Sequence, residues 1–387
     1  MKEDIILLST AEWDNPFWTN KQHVAKELAK RGHRVFYIDS LGLRRPSATS
    51  QDLRRIIKRV KKALQPPREV QKNLWVWSPI LLPFQSKSWV REINYTILNR
   101  WLNFWLKRLK FKKDIFWTYN PMTTKVFDTK LYKKLIYHCV DEIKAQPGMP
   151  TKIIEQAEIE LVKQADFIFT TSKKLYDTRK RWNENTFYFS NVADFNHFAK
   201  ARQKDTIIPD DLKNIPTPRI GFIGAISGYK IDFKLIEFLA KKHSNYSFIF
   251  IGKVGEGDPW TNIDNLKKLD NIYFLGAKPY DKLPNYLKGI DVAILPNNIN
   301  EYTNAMFPMK FFEYLSAGKP IVSVDLLALQ DYKNICYLSK DYNEFSYNLQ
   351  RVLEDINYNL KDRLELAKQF TYESRTNKMM HIIEESF

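Results

Sequence analysis

Residues 308–324, PMKFFEYLSAGKPIVSV, hold a helix start, a helix stop and a strand in immediate succession. Pro308 suits the entry to a helix, Phe311, Phe312 and Leu315 give that helix an apolar face, and Gly318-Lys319-Pro320 ends it before PIVSV. A short amphipathic helix feeding a β-branched strand is half of a βαβ unit, so a parallel sheet is predicted. Around this segment RIGFIGA (219–225), SFIFIG (247–252), IYFLG (272–276), VAILP (292–296) and ICYLS (335–339) supply further strands. The first half repeats the pattern with IILLS (5–9), RVFYID (34–39), DIFWTY (114–119), KLIYHCV (134–140), FIFTTS (167–172) and FYFSN (187–191). Between the first two of these, Val24 and Leu28 follow a helical stripe that Gly32 closes. The predicted fold class is therefore α/β, with two doubly wound parallel sheets. The polar, proline-containing stretch 199–218 reads as a linker, which gives domains at 1–200 and 219–370 joined by 201–218. Residues 371–387 read as a helix long enough to return to the first domain. Two such sheets bind ligands at the carboxyl ends of their strands, so a cleft between domains is the expected site.

Composition narrows the function. The 387 residues include 44% hydrophobic and 27% charged residues, which excludes a disordered chain, and only two cysteines, Cys139 and Cys336, which excludes a disulfide scaffold. The opening apolar run is too short for a signal-peptide core, and no window reaches the length of a membrane span, so a reduced, cytoplasmic protein is expected. The net charge of +17 is uneven: residues 1–200 hold 37 basic and 20 acidic residues, whereas 201–387 hold 24 of each. Within residues 51–113 the count is 16 against 3, a field that attracts phosphates, RNA or anionic lipid.

Two glycine loops carry the next signal. Gly221-Phe-Ile-Gly224-Ala-Ile-Ser227-Gly228-Tyr-Lys230 follows a strand and precedes a helix, where backbone N–H groups can meet a phosphate and Lys230 can neutralise it. Its spacing fits neither the dinucleotide GxGxxG nor the GxxxxGK[ST] of phosphate-loop NTPases. Gly252-Lys253-Val-Gly255-Glu-Gly257 ends the next strand and could close the same crevice; both loops read equally well as tight turns. Lys310 and Glu313 lie one helical turn apart, where a carboxylate can accept two sugar hydroxyls and an ammonium can meet a diphosphate. A solvated ion pair is the plainer reading of the same spacing.

Taken together, PMKFFEYLSAGKPIV, GFIGAIS, FIFIGKV, LGAKPYDKLPNYLKGIDVAILP (275–296) and SNVADFNHF (190–198) resemble the GT-B glycosyltransferases of the GT4-like, or glycosyl transferases group 1, class. Within that class they are similar to the teichuronic-acid and polysaccharide glycosyltransferases. The resemblance implies two Rossmann-like domains facing across a cleft, with a nucleotide-sugar held by the C-terminal domain and a glycan or lipid-linked acceptor by the N-terminal one. It places Glu313 on the ribose hydroxyls and Asn304 with the loop Phe307, Pro308, Met309 and Lys310 around the diphosphate and sugar. Gly224, Ser227, Lys230, Gly252 and Lys253 fall on the phosphate side, and Pro279 and Tyr280 where the nucleobase packs. Many relatives carry a second glutamate eight residues before the ribose-binding one; that position is Ala305 here, with Glu301 or Asn304 as the nearby replacements.

For the acceptor, Trp13, Trp18, Asn20, Gln22 and His23 crowd the loop after the first strand, and rings beside amides suit a pyranose. They equally suit domain packing. His138 and Asp141, in YHCVDE, follow the strand that lines the cleft in relatives; they are the candidate catalytic pair, although a histidine at a strand end is commonly a core residue. No DxD-like motif is present, so neither a metal nor a cofactor is expected, and the family's usual retention of configuration needs no protein base. The basic, aromatic stretch 53–113 has helical spacing with Trp101, Phe104, Trp105 and Leu109 on one side, which suits a peripheral position on the anionic inner face of the cell membrane. An RNA-binding protein and a catalytically inactive scaffold are the competing readings; no RNP, KH or zinc-knuckle signature supports the first, and nucleic acid is not an expected partner.

Overall fold

A computed structural model describes residues 2–15, 18–41, 65–79, 88–258 and 260–386, without the side chains of residues 88, 89 and 91. The chain forms two compact units, one of residues 1–170, 175–189 and 376–387, the other of residues 171–174 and 190–375.

The first unit carries strands β1 (Asp4–Leu8), β2 (Arg34–Ile38), β3 (Arg68–Gln71), β4 (Leu74–Trp77), β5 (Ile115–Thr118), β6 (Lys134–Cys139), β7 (Phe167–Thr170) and β8 (Thr186–Tyr188). Their order is β3-β4-β2-β1-β5-β6-β7-β8, parallel except for β3 against β4. Strands β3 and β4 are a short hairpin that the pattern of apolar runs left unassigned: only the LWVW half of it is apolar. Central strands such as β1 and β5 are buried at every position, as expected where helices cover both faces of a parallel sheet. Helix Asn20–Lys30 follows β1 and starts with a reciprocal cap between Thr19 and Gln22.

The second unit contains β9 (Arg219–Ile223), β10 (Ser247–Ile251), β11 (Ile272–Gly276), β12 (Val292–Leu295), β13 (Ile321–Val324) and β14 (Tyr337–Ser339), all parallel, in the order β11-β10-β9-β12-β13-β14. Gly252 is required where β10 ends, because a Cβ there would lie 1.8 Å from the Gly224 carbonyl oxygen. The two glycine loops thus meet backbone to backbone at Gly224 and Gly252.

The boundary between units differs from the sequence expectation. The chain crosses at 189/190, and the stretch expected as a linker belongs to the second unit. Its apolar residues explain this: Phe198, Ala201, Leu212 and Ile215 are buried in that unit's core, and Leu212 lies against Gly289, where a Cβ would clash. At the other end, helix Tyr372–Glu384 continues into the first unit, whose core includes Met379, Met380 and Ile383. The second unit ends at Arg375, inside this helix.

Strand β6 bears His138 and leads into the turn that carries Asp141. Side chains alternate across a strand, so Tyr137 and Cys139 face one way and His138 the other. On the first side Arg179, only 2% exposed, forks between two carboxylates: it donates to Glu142 at 2.7 and 2.9 Å and to Glu158 at 2.8 and 2.9 Å. Glu158 also accepts from the Tyr137 hydroxyl at 2.7 Å. This buried network fixes the end of β6 and the turn that carries Asp141. Replacing Arg179 with Met leaves two buried carboxylates unpaired and should lower the unfolding free energy by about 3–5 kcal/mol in urea titrations; an unchanged midpoint would show that the pair is solvated. Gly252→Ala should cost about 1–3 kcal/mol through forced separation of the two loops, read as a lower thermal midpoint.

Candidate functional site

In the second unit, the loop after β9 is built on its neighbour after β10. The Ile226 amide donates to the Lys253 carbonyl at 3.1 Å, the Gly255 amide to the Ile226 carbonyl at 2.9 Å, and Ile226 pairs with Val254 as a parallel bridge. The Gly228 amide is held by the Thr261 hydroxyl at 3.0 Å. Ser227 is fully buried, and among the described residues its hydroxyl has no hydrogen-bond partner. A buried hydroxyl left that way is costly, and a ligand oxygen would relieve it. Lys230 spans the same turn, its ammonium 5.2 and 5.1 Å from the ring centroids of Tyr229 and Tyr302. Lys253 is exposed.

Helix Lys310–Ser316 is pinned to this loop from far away in sequence. The Ile223 amide, one residue before Gly224, donates to the Tyr314 hydroxyl at 2.8 Å. On the same helix Lys310 Nζ meets Glu313 Oε2 at 2.5 Å, with the lysine side chain 23% exposed and the glutamate 5%. The pair is therefore not the solvated surface contact that its spacing also allowed. Burial pushes the Glu313 carboxyl above its usual range, Lys310 opposes that shift, and Asp194 adds to it. Beside it Tyr280 stacks on His197, with centroids 4.4 Å apart and planes 9° apart, while His197 Nε2 and the Tyr280 carbonyl lie 2.9 Å apart. One face of Tyr280 is thus already occupied; Pro279 is exposed.

The segment before the helix divides into surface and core. Asn304 and Met309 are partly exposed, but Phe307 is fully buried against Phe311, Phe312 and Tyr332. The expectation that Phe307 wraps a ligand is corrected for its side chain: the ring is core, packed parallel to Phe312, and its carbonyl accepts from Asn191 at 2.6 Å. Pro308 is buried as well. Ala305 is 2% exposed and its carbonyl accepts from Ser172 at 2.8 Å. Of the two suggested replacements for a carboxylate there, Glu301 is exposed and Asn304 ends the turn Glu301–Asn304.

In the first unit a second constellation forms where helix Asn20–Lys30 starts. Trp13 and Trp18 are 5.1 Å apart, and Trp18 meets His23 edge-on at 5.4 Å. Trp13, Asn20, Gln22 and His23 are all buried, and Trp18 is half-buried. Gln22 is a correction: it is fully buried, accepting from the Thr19 amide at 3.0 Å and donating to the Glu12 carbonyl at 3.0 Å, so its amide serves the helix cap. His138 is also fully buried, stacked on Tyr119 at 4.8 Å and flanked by Trp117 and Phe169. Asp141 is more open, and Lys21 reaches to 3.7 Å from it while lying 5.8 Å from the Tyr119 ring centroid. Lys21 was missed in the sequence, although it stands between Asn20 and Gln22; its charge at a helix start, where acidic residues are usual, was the available signal. Among the described residues no group of three His, Cys, Asp or Glu side chains is placed to hold a metal ion.

Comparison with known proteins bears on both units. A Bacillus subtilis protein, TuaH, whose name assigns it to teichuronic acid biosynthesis as a glycosyltransferase, is 31% identical over 181 residues, 45% of this chain and 44% of its own length. The matched part is thus less than half of that relative. Among solved structures, sucrose-phosphate synthase from Thermosynechococcus elongatus superposes with a TM-score of 0.70 at 13% identity, covering 100% of this chain and 99% of that one. Anabaena HepE in complex with UDP and glucose gives 0.67 at 13% identity, covering 100% of both. Residues 203–377 match the family described as glycosyl transferases group 1, which spans the glycine loops, Lys310 and Glu313. Residues 203–377 are thus similar to the glycosyl transferases group 1 family, and the chain shares the two-sheet α/β fold of the solved GT-B structures.

Proposed function

We propose that the protein transfers a sugar from a nucleotide-sugar to a glycan or lipid-linked saccharide in the synthesis of a cell-surface polysaccharide, at the inner face of the cell membrane. The observation that carries this reading is the Lys310–Glu313 pair on a helix tied by Tyr314 to the glycine loop. A buried carboxylate with one oxygen on an ammonium is prepared to accept ribose hydroxyls, and the ammonium is placed for a phosphate. Ser227, Lys230 and Lys253 supply a hydroxyl and two cations on the adjoining loops, enough to stabilise a departing diphosphate without a metal. UDP is the first nucleotide to test, because HepE is described in complex with it and the fold is shared.

The proposed chemistry is retaining. The donor phosphate accepts the acceptor's proton as the new glycosidic bond forms on the face the nucleotide leaves. Asp141 then shapes the acceptor side and is not the base, while His138, fully buried, supports it only through packing. TuaH, by its name, acts in teichuronic acid synthesis, which favours an anionic wall polysaccharide as the product class.

Saturation with UDP-sugar at about 100 times its dissociation constant should stabilise the protein by about 2.7 kcal/mol and, for a chain of 387 residues, raise the thermal midpoint by about 3 °C. Glu313→Ala should remove that rise and lower turnover about 100-fold or more, since it deletes charge-assisted hydrogen bonds. A full rise in the variant would place the donor elsewhere. Asp141→Asn should keep measurable turnover with the donor's anomeric configuration in the product, read by proton NMR. Complete loss in the variant, with an inverted product from the unmodified enzyme, would make Asp141 a general base.

A further inference from the structure

Helix Ser88–Arg108 of the first unit is apolar on two faces. Its inner face, Val90, Leu98, Leu102 and Leu106, is at most 5% exposed. On the other side Ile93, Ile97, Trp101 and Phe104 follow one another at spacings of four, four and three, and are 42, 42, 51 and 52% exposed. A helix needs one buried stripe to hold it on a core, and the second stripe has no such purpose. Trp101 and Phe104 touch edge-on at 6.1 Å and form one apolar patch at the C-terminal end of the stripe. This differs from the grouping expected from sequence: Trp105 and Leu109 are half-buried, and the outward face is shifted toward Ile93 and Ile97.

The surroundings of the patch specify what covers it. Residues 88–113 contain seven Lys or Arg and one acidic residue, Glu92. Arg100, Lys107, Arg108, Lys110 and Lys112 are exposed, and Arg108 lies one turn beyond Phe104 on the same stripe. Pairing with a second copy would bring this cationic rim against itself. An apolar stripe with an interfacial tryptophan and a basic rim fits acyl chains beneath anionic headgroups.

We infer that Ile93, Ile97, Trp101 and Phe104 form a docking face for an anionic lipid bilayer, with Arg100, Lys107 and Arg108 on the headgroup phosphates. The inference rests on the reading above that the protein works at a membrane, and it names the surface and the charge of the lipid. The test is flotation of the full chain with vesicles of phosphatidylcholine alone or mixed equally with phosphatidylglycerol, in 0.15 M salt as a physiological approximation. Binding to the mixed vesicles and not to pure phosphatidylcholine is expected, with a blue shift of tryptophan emission that Trp101→Phe diminishes. Ile97→Glu/Phe104→Glu should abolish binding, and Arg100→Gln/Lys107→Gln/Arg108→Gln should weaken it about 100-fold. Because all five positions are exposed, both variants should keep the thermal midpoint and the UDP-sugar shift of the unmodified protein, which separates failure of docking from failure of the proposed transferase activity. Equal binding to both vesicle types, no binding to either, or undiminished binding by the Glu variant would overturn the inference. So would a self-associated protein that the Glu variant converts to monomer without any vesicle binding.

Discussion

The hydrogen bond from the Ile223 amide to the Tyr314 hydroxyl joins two segments that are 91 positions apart and carry most of the candidate donor chemistry. Ile223 is the last residue of β9 and leads into Gly224; Tyr314 follows Glu313 directly. Both partners are buried, so the bond holds the helix at a fixed distance from the loop whatever the exposed side chains do. The loop is in turn fixed by the Gly224–Gly252 approach and by amide bonds to the neighbouring strand's loop. Backbone and core thus position the candidate groups, and the side chains left over are a hydroxyl, ammonium groups and one carboxylate.

The first unit uses a different means to a similar end. Strand β6 is anchored on one side by Arg179 with Glu142 and Glu158, and on the other presents His138 to Trp117, Tyr119 and Phe169. A charged network in the interior contributes little net stability compared with apolar packing, yet it specifies one arrangement of the turn bearing Asp141. Lys21 then approaches that aspartate from the first turn of the helix after β1.

Much of this was legible in the sequence because it is local. Fully apolar runs bounded by glycine and proline gave the central strands, and GxxGxxxG with PMKFFEYLSAGKPIV located the loop and helix that the structure brings together. What was not legible depends on distant partners. Nothing in Gln22 announces that Thr19 and Glu12 consume its amide, and Phe307 looks like a ligand contact until Phe312 and Tyr332 enclose it. The hairpin β3–β4 lacks two apolar strands, and the stretch around Leu212 reads as polar because only a few of its residues reach the core. The burial of Glu313 was likewise invisible, since i, i+3 spacing serves a surface pair and an interior pair alike. For the basic aromatic segment, residues 53–64 and 80–87 lie outside the described residues, and the inward and outward faces of the rest could be told apart only on the folded helix.

The proposed donor site depends on Glu313 as the acceptor for ribose hydroxyls. A crystal structure of the protein soaked with UDP tests that claim most directly. It predicts both ribose hydroxyls at about 2.6–3.2 Å from the Glu313 carboxylate, with the diphosphate beside Ser227 and Lys310. A nucleotide bound away from this helix, with Glu313 contacting only Lys310, would contradict it.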